Sequence, residues 1–569
     1  MEDSVEIQNQ REDKVTLKFI ATSDIHGAIF PYDFIEDMII SNSLSQIYAY
    51  VKEQRGVQNQ EVILLDNGDM LQGQPVVYYS NYVMTDQPHI CSEVMNFMEY
   101  DAATVGNHDI EAGHSVYDKL KKEFNFPWMA ANAVDKITQE PYFKPYTIIN
   151  RRGIKIAVLG LITPAIPNWL PEKIWEGIDF LDMVESAKHW VNIIKEKESP
   201  DVLIGLFHSG VDFTYNNQSE ESFKNENAAK LVAKNVPGFD VVFAGHDHQE
   251  YNNIVENIAG KKVLILDPKS NAKMVSVSTI TLEWDNNRKK YRKDLTGLTL
   301  EMNFCEPDYD FVKKFEHYKR EVKKYVSQPI GFFNKTISIR EALFGNTAFV
   351  DLVHKIQLEE TGADISFASP LSFDTKINKG KVFIRDMFKI YKFENILYKM
   401  RLTGKEIHDY LEYSYGIWFN EMRSMDDYLL NFDRDYRGNL VLRGKFYNYS
   451  SASGIKYTVD LTKKIGERIL ITELFDGRPF DFKADYIVAI NSYRANGGGG
   501  HLKDGAKILP ADLPSRVLSK SEKDLRYIIM KWFENNQIVT PQSFGNWKAI
   551  PDAWWRRGKR KSMNVLYES

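Results

Sequence analysis

Eight polar residues in the first half of the chain lie where short apolar segments end, and their side chains are of the types that bind metal ions. They occur in ATSDIHG, LLDNGD, TVGNHD, LFHSG and FAGHDH, and they are Asp24, His26, Asp69, Asn107, His108, His208, His246 and His248. Imidazole and carboxylate ligands suit Zn, Mn, Fe and similar divalent ions. A single D-x-H motif is common by chance, and a single strand-end histidine is usually structural. The ordered series is far rarer by chance, so it predicts a metal site.

The chemistry that this series predicts is hydrolysis of a phosphoester by two metal ions. A dinuclear site needs one ligand that bridges both ions, and a carboxylate such as Asp69 can do so. Two ions about 3.5–4 Å apart can clamp a phosphate and activate a water between them. The sequence therefore favours a hydrolase over a structural interpretation of the individual histidines.

The apolar segments before these motifs have the pattern of strands in a covered sheet. Each is a short run rich in β-branched residues or leucine, and helical patterns lie between the runs. Continuous apolar strands alternating with helices indicate an α/β fold whose sheets are buried on both faces. Open α/β sheets place their active sites at the ends of strands, which is where the metal-binding residue types occur.

The pattern of the chain changes near residue 300, and the length also indicates two domains. We predict a disordered leader, a metal-binding domain, an exposed connecting helix, a second α/β domain and a solvated basic tail, at residues 1–14, 15–300, 306–328, 329–548 and 549–569. The connecting segment is charged and contains no glycine. Because an exposed helix offers few contacts that lock its neighbours in place, we expect the two domains to rotate when substrate binds.

Composition and the N-terminal residues bear on partners and compartment. The chain has 72 basic and 78 acidic residues, so its formal charge of −6 gives no general attraction to nucleic-acid polymers, and we expect none as a partner. No apolar run approaches the ~20 residues that a membrane span needs. Cys91 and Cys305 are expected to be free thiols. The N-terminus lacks the apolar segment of a signal peptide, so the protein is cytoplasmic if this N-terminus is native.

The motifs together resemble those of a known family, the secreted bacterial 5′-nucleotidases and 2′,3′-cyclic-nucleotide 2′-phosphodiesterase/3′-nucleotidases. ATSDIHG, LLDNGDMLQGQP, TVGNHDIEAG, LFHSG and VPGFDVVFAGHDHQ resemble its first domain, and GNTAFVDLV, TGADISFA, RLTGKEIHDYLEYS and INSYRANGGGG its second. The resemblance covers nearly the whole chain. It implies a four-layer calcineurin-like metallophosphoesterase sandwich followed by a smaller α/β nucleotide-binding domain. It also implies a periplasmic or secreted location if a leader has been removed.

The same resemblance implies which residues hold two divalent ions, and it leaves their identity among Zn, Mn, Fe and Co open. One ion would be held by Asp24, His26, Asp69 and His248, and the other by Asp69, Asn107, His208 and His246. His108 would face the scissile phosphate, where it could stabilise charge or protonate the leaving oxygen. The family often has Asp three residues after this His, and this chain has Glu111, whose longer carboxylate can still pair with the imidazole.

The resemblance further implies a nucleoside-binding pocket in the second domain. Two aromatic rings would sandwich the base, and they fall at Tyr449 in YSSASGIKY and at Tyr493 in NSYRANGGGG. Asn491 and Gly497 are the other substrate-binding residues that it implies. A tyrosine ring can stack on any base, at about 1–3 kcal/mol per base. Without the resemblance, both tyrosines are better explained as core or surface residues of a strand.

Two departures from the 5′-nucleotidases favour 2′,3′-cyclic and 3′-nucleotides as substrates. The Arg-bearing loop that many of them have after GADI is replaced by residues 369–373, which contain no Arg. The glycine-rich loop at 497–500 lacks the Asp that would contact ribose. A 2′,3′-cyclic phosphate carries one negative charge, and both ribose hydroxyls are esterified in it. It therefore needs neither the Arg nor the Asp. The alternatives are a 5′-nucleotidase or nucleotide-sugar hydrolase and, from another class, a non-catalytic scaffold, although no metal ligand is lost.

Overall fold

The computed structural model describes residues 13–215, 218–434 and 438–567, and the chain divides into two compact units. The division falls between Lys324 and Tyr325, and Asn168–Pro171 is grouped with the second unit. Of the predicted leader, residues 1–12 lie outside the described residues. The first strand begins at Lys14, so its start overlaps the end of the predicted leader.

Two six-stranded sheets pack face to face in the first unit. The first has, in spatial order, Lys290–Glu301, Met274–Asp285, Lys14–Thr22, Gln60–Asp66, Ala102–Thr104 and Trp128–Met129. The second has Glu250–Glu256, Lys262–Pro268, Val241–Phe243, Val202–His208, Ile154–Ile162 and Tyr146–Arg151. Short strand pairs join Tyr32–Asp33 to Met38–Ile39 and Ala133–Asp135 to Ile178–Phe180. Apolar side chains from both large sheets fill the space between them.

The strand Val202–His208 shows why this sequence forms a sheet that is covered on both faces. All seven of its residues are buried, and successive side chains of a strand point to opposite faces. Ile204 and Leu206 therefore enter the core between the sheets, whereas Leu203 and Phe207 pack under outer helices. The outer helices of the two sheets are Leu44–Arg55, Pro75–Tyr82, Ile90–Met98, His114–Glu123, Met183–Lys197 and Ala229–Asn235. The four-layer fold predicted for this domain is confirmed.

The helix Tyr309–Val326 occupies the predicted connecting segment, but it is not the exposed helix that we predicted. Phe311, Phe315 and Val322 are buried, and the Tyr318 hydroxyl donates to Glu93 Oε2 at 2.7 Å. These positions recur every three to four residues, so they form one apolar face that packs on the first unit. The charged residues of the segment lie on the other face, and they concealed this pattern. The helix is therefore part of the first unit along nearly all its length.

The second unit is a smaller α/β assembly, as predicted. Its central five-stranded sheet has the order Ser451–Ser453, Ile365–Ala368, Asp485–Asn491, Ile396–Thr403 and Val517–Asp524. Two three-stranded sheets contain Ile469–Leu474, Ile455–Asp460 and Trp547–Ile550, and Gly380–Phe383, Pro329–Phe333 and Ile538–Val539. Strand pairs join Ile337–Ser338 to Lys376–Ile377 and Phe432–Arg434 to Leu440–Leu442. The main helices are Ala348–Thr361, Ile384–Ile390, Gly404–Trp418 and Leu525–Asn536.

The predicted basic tail is instead a helix, Asp552–Tyr567, that belongs to the second unit. Trp555 packs on the core of that unit and donates its indole N–H to the carbonyl of Phe344 at 2.7 Å. The hydroxyl of Ser562 is buried and accepts hydrogen bonds from the backbone N–H groups of Leu429 and Leu430. Arg556, Arg557 and Arg560 are exposed, so the sequence showed charge where the structure has an amphipathic helix.

Cysteines and helices give two further observations on the described residues. Cys91 is buried and Cys305 is partly exposed, and both are free thiols, as predicted. Within residues 13–215, 218–434 and 438–567, no helix combines the length and the apolar character required to cross a bilayer.

Candidate metal centre

Five loops at strand ends bring the predicted ligands together in the first unit. They follow the strands Lys14–Thr22, Gln60–Asp66, Ala102–Thr104, Val202–His208 and Val241–Phe243, and His208 is itself the last residue of its strand. The first three strands are parallel neighbours in one sheet, and the last two are parallel neighbours in the other. The carboxyl ends of neighbouring parallel strands share one edge of a sheet, so residues far apart in sequence become neighbours there.

The first group of side chains contains Asp24, His26 and His248. The Nε2 atoms of His26 and His248 are 3.0 Å apart, and His248 Nε2 lies 3.4 Å from Asp24 Oδ1. The Nδ1 atom of His26 faces the carbonyl of Gln72 at 2.9 Å. Because Nδ1 donates its proton to that carbonyl, Nε2 carries the lone pair and points toward the other two side chains.

The second group contains Asp69, His208 and His246, and Asn107 lies between the two rings. Asn107 Oδ1 is 3.0 Å from His208 Nε2 and 2.7 Å from His246 Nδ1. Asp69 Oδ2 is 3.2 Å from His208 Nε2. Two imidazoles, a carboxylate and an amide oxygen form a donor set that suits a divalent transition metal, as does the first group. The structure thus brings together all seven residues predicted as ligands, and they fit a pair of ions.

The backbone holds five of these residues in an unusual conformation. Asp24, His26, Asp69, His246 and His248 have φ angles of 52, 51, 62, 78 and 60°, in the left-handed region. Residues other than glycine occupy this region infrequently and at an energetic cost. Such strain persists only where the surrounding structure enforces it and is concentrated at functional sites. The cluster of strained residues therefore supports a functional role for these loops.

Burial and mutual charges determine which ligands carry protons. Burial, together with the charge of His248, lowers the pKa of His26 to about 3, so this ring is neutral at neutral pH. Burial would raise the pKa of Asp24, but the hydrogen bond and charge of His248 outweigh it and lower the pKa to about 2. Burial would lower the pKa of His208, but the charge of Asp69 outweighs it and raises the pKa to about 10. An ion bound by His208 must displace that proton.

Asp109 anchors the backbone of Asp69 and of the two residues that follow it, a role that its sequence motif did not predict. Its Oδ2 accepts from the N–H groups of Asp69 at 3.0 Å and Gly106 at 2.8 Å. Its Oδ1 accepts from those of Met70 at 3.0 Å and Leu71 at 3.1 Å. A Cβ atom on Gly106 would lie only 2.2 Å from Asp69 Oδ1, so the close approach of the two loops requires glycine there. In the sequence, the only sign of this arrangement is the motif GNHD, whose first and last residues are Gly106 and Asp109.

His108 lies beside the ligands but belongs to neither group. Its Nδ1 atom pairs with the carboxylate of Glu111, one turn along the short helix Asn107–Glu111. Its backbone N–H donates to Asp69 Oδ1 at 2.8 Å, and its ring centroid is 5.5 Å from that of His26. The carboxylate keeps a proton on Nδ1, so Nε2 is the nitrogen that can exchange a proton with a substrate. The pairing predicted for His108 and Glu111 is present.

In the second unit, the structure corrects the prediction that Tyr449 stacks on a base. Its ring is 0% exposed and lies parallel to Trp418, at a centroid distance of 5.5 Å and an angle of 8°. The hydroxyl donates to the carbonyl of Gly444 at 3.3 Å. Because this ring lies within the core and is already stacked on Trp418, it has no face that a nucleobase could reach.

Tyr447, two residues earlier, is instead the aromatic residue that accompanies Tyr493 at the surface. Both rings are half-buried, with centroids 6.4 Å apart. Phe393 lies 6.1 Å from Tyr447, and Phe373, which is 36% exposed, lies 4.1 Å from Phe446. Arg494 donates to the Tyr447 carbonyl at 2.9 Å and thereby ties the two tyrosine-bearing segments together. This group of partly exposed rings, hereafter the aromatic cluster, is a surface in the second unit suited to stacking.

The other two predicted substrate-binding residues have structural roles of their own. Asn491 caps the short helix Ser492–Ala495, where its side-chain oxygen accepts from Arg494 N, and its amide donates to the Tyr391 hydroxyl. Gly497 has a φ of 101°, which favours glycine. A Cβ on the next-but-one residue, Gly499, would lie 2.1 Å from Arg494 Nη1, so internal packing already explains that glycine.

Comparison with known proteins places these observations in a family context. Residues 17–250 match the family model of the calcineurin-like phosphoesterases, and residues 327–504 match that of the 5′-nucleotidase C-terminal domain. The trifunctional nucleotide phosphoesterase YfkN of Bacillus subtilis is 26% identical over 95% of this chain, which spans only 39% of that longer protein. The 2′,3′-cyclic-nucleotide 2′-phosphodiesterase/3′-nucleotidase of Haemophilus influenzae is 25% identical over 94% of this chain and 88% of its own.

A solved structure shows the same fold. The crystal structure of a putative 5′-nucleotidase from Staphylococcus aureus, in complex with alpha-ketoglutarate, superimposes with a TM-score of 0.76 at 20% identity. The match covers 94% of this chain and 99% of the other. At this identity the likeness concerns the fold.

Proposed function

Since the chain belongs to the family that joins a calcineurin-like phosphoesterase domain to a 5′-nucleotidase C-terminal domain, we propose that it hydrolyses 2′,3′-cyclic and 3′-nucleotides with two divalent metal ions. The family consists of phosphoester hydrolases, and this chain is an enzyme of that class. The observation that carries the proposal is the pair of ligand groups, with the His108–Glu111 pair beside them.

The proposed metal ligands are those of the two groups described above, with Asp69 shared between the ions. Ions held there would supply positive charge to the phosphate oxygens and lower the pKa of a water molecule. Asp69 is suited to the shared position because its carboxylate is buried and its backbone is fixed by Asp109. The neutral ring of His26 offers its lone pair without first losing a proton.

His108 is the proposed catalytic residue for the leaving group. With its Nδ1 proton held by Glu111, its Nε2 atom can donate a proton to the leaving oxygen once the ring is charged. The carboxylate stabilises that charged ring, as a general acid requires. A cationic ring at this position would also offset negative charge that develops on the transferred phosphoryl group.

The aromatic cluster is the proposed binding surface for the nucleobase. Stacking on Tyr447 or Tyr493 would contribute about 1–3 kcal/mol with little discrimination between bases. The backbone of Tyr447 is held by Arg494, so the ring is presented in a defined position. Tyr447 thereby takes the role that the sequence analysis gave to Tyr449.

The preference for cyclic and 3′-nucleotides rests on what two loops lack. Residues 369–373 contain no Arg that could form a bidentate hydrogen bond with a 5′-phosphate dianion. The ring of Phe373 in this loop contacts that of Phe446 in a tilted arrangement, so the loop contributes apolar surface. Residues 497–500 carry no carboxylate for ribose hydroxyls. A 2′,3′-cyclic phosphate requires neither partner, and the name of the Haemophilus relative agrees with this preference.

A panel of substrates under one metal condition tests the proposal. The values of kcat/KM for cyclic 2′,3′-AMP, 3′-AMP and 5′-AMP are compared with that for a base-free aryl phosphodiester. We expect kcat/KM to be higher for the cyclic and 3′ substrates than for 5′-AMP. We also expect Tyr447→Ala to lower kcat/KM for the nucleotides and to leave that for the aryl ester unchanged. A clear preference for 5′-AMP would overturn the assignment in favour of a 5′-nucleotidase, the second candidate, which the match to the 5′-nucleotidase C-terminal domain supports.

A further inference from the structure

The ring of His246 is held between two side chains, one on each nitrogen. Its Nδ1 atom lies 2.7 Å from Asn107 Oδ1, on the side of the proposed ion. Its Nε2 atom lies 3.3 Å from Glu226 Oε1 on the opposite side. The side chains of His246 and Glu226 are only 11% and 12% exposed, so water screens their interaction weakly.

The backbone of Glu226 is fixed to the same strand end that carries a metal ligand. Its carbonyl accepts hydrogen bonds from Ser209 Oγ at 2.8 Å and from Thr163 Oγ1 at 3.0 Å. Its N–H donates to Gln218 Oε1 at 3.1 Å. Since Ser209 directly follows His208, the carboxylate of Glu226 approaches His246 from a loop that is anchored within the site.

Two other ligand histidines are oriented in a different way. The Nδ1 atoms of His26 and His208 face the backbone carbonyls of Gln72 and Asn67, at 2.9 and 2.7 Å. These acceptors are neutral, whereas the acceptor beside His246 is a carboxylate. A carboxylate that accepts the distal proton of an imidazole fixes its tautomer and makes the other nitrogen a stronger ligand.

We propose that Glu226 is a positioning residue of the metal centre. Its carboxylate accepts a hydrogen bond from the Nε2–H group of His246, so that Nδ1 offers its lone pair to the ion. The inference rests on the metal site of the proposed function and adds a residue outside its ligand set. Through its contact with His246, Glu226 contributes negative charge to the group formed by Asp69, His208 and His246. Its loss should therefore weaken one of the two ions selectively.

The test is calorimetric titration of the metal-depleted full chain with Mn²⁺, for the wild type, Glu226→Gln and Glu226→Ala. Removal of such an outer carboxylate typically lowers metal affinity by about 10–100-fold. We expect that loss at one of two sites in Glu226→Ala, an unchanged second site, and partial rescue in Glu226→Gln, whose amide oxygen still accepts the proton. Glu221→Gln is the matched control, because Glu221 is exposed on the same loop and bonds to Ser219.

The outcomes separate this inference from the proposed function. If both Glu226 variants bind Mn²⁺ at each site with the same affinity as the wild type, the inference is overturned, whatever the protein hydrolyses. An equal loss at both sites would also overturn it, because that result indicates a general structural role. Glu226→Gln preserves size and polarity, so its affinities decide between these outcomes if Glu226→Ala does not fold. Failure of the wild type to hydrolyse nucleotides would refute the proposed function and leave the metal titration interpretable.

Discussion

Replacing Asp109 by Asn should disrupt the metal centre although Asp109 is not itself one of the proposed metal ligands. The carboxylate of Asp109 accepts four backbone hydrogen bonds, from Asp69, Met70, Leu71 and Gly106, at 2.8–3.1 Å. An Asn side chain keeps one oxygen and replaces the other by an NH₂ group. In either orientation two of the four N–H groups then face a donor.

The magnitude follows from those two groups. Each buried N–H left without an acceptor costs about 1–3 kcal/mol, so the substitution should cost roughly 2–6 kcal/mol. That is a large part of the ~5–15 kcal/mol by which domains are stable. The cost is concentrated where Asp69 is held at a φ of 62°, so the shared ligand should lose its position before the unit unfolds globally.

Two measurements check this prediction. Metal content after gel filtration should fall, and denaturant unfolding should show a lower free energy of unfolding for Asp109→Asn. The control is Asp118→Asn, whose half-buried carboxylate contacts side chains, the Tyr142 hydroxyl and the His114 ring, and no strained loop. Wild-type metal content together with a change in unfolding free energy below about 0.5 kcal/mol would refute the reasoning.

Four further predictions concern the ligands, the acid, the tyrosines and a buried histidine. A chelator should abolish hydrolysis and Mn or Co should restore it, with Asp69→Asn the most damaging ligand change; full activity of metal-free protein would rule out the two-metal mechanism. His108→Ala should lower kcat by about 10²–10⁴-fold with metal content unchanged, so metal loss in this variant would show a different role. Tyr447→Ala should raise KM for nucleotides by about 5–150-fold, whereas Tyr449→Ala should lower the free energy of unfolding by about 3–5 kcal/mol; the reverse pattern would return the stacking role to Tyr449. Burial lowers the pKa of His354 to about 3, so the folded state keeps this ring neutral while the unfolded chain takes up a proton below about pH 6.5. The neutral ring therefore contributes fully to stability above that pH, and this contribution falls by about 2 kcal/mol at pH 5. His354→Gln should lack this part of the loss when the free energy of unfolding is measured with denaturant at pH 5 and 7.5.

The sequence was sufficient to predict the metal ligands because their signal is local. Each ligand follows a strand of buried residues, and the strand order of an α/β sheet brings such ends together. Asp24 and His248 are 224 positions apart, yet each could be recognised from its own motif. By contrast, the sequence could not show that Glu226 faces His246, because its loop carries no motif and the contact depends on how that loop folds.

Errors in the second unit arose where one or two positions decide between core and surface. Tyr447 lies in the short turn Phe446–Asn448 and Tyr449 directly follows it, and only the structure shows which ring enters the core. The helix at 309–326 in the first unit and the helix at 552–567 in the second were misjudged for another reason. Their lysines and arginines dominate the composition, while a few aromatic residues at helical spacing, such as Phe311 and Trp555, determine the packing.

The helix Asp552–Tyr567 has a consequence for the order in which the two units can fold during synthesis. The first unit is complete once Val326 has left the ribosome, because its sheets and its last helix precede that residue. The core of the second unit still lacks the strand Trp547–Ile550, which pairs with Ile455–Asp460, and the helix that follows it. At about 5–20 residues per second, the intervening residues, about 240, take roughly 12–50 s to synthesise. From its own synthesis until the last strand and helix emerge, Trp418 lacks part of the core in which it is buried, so we expect the nascent second unit to expose apolar surface during that time.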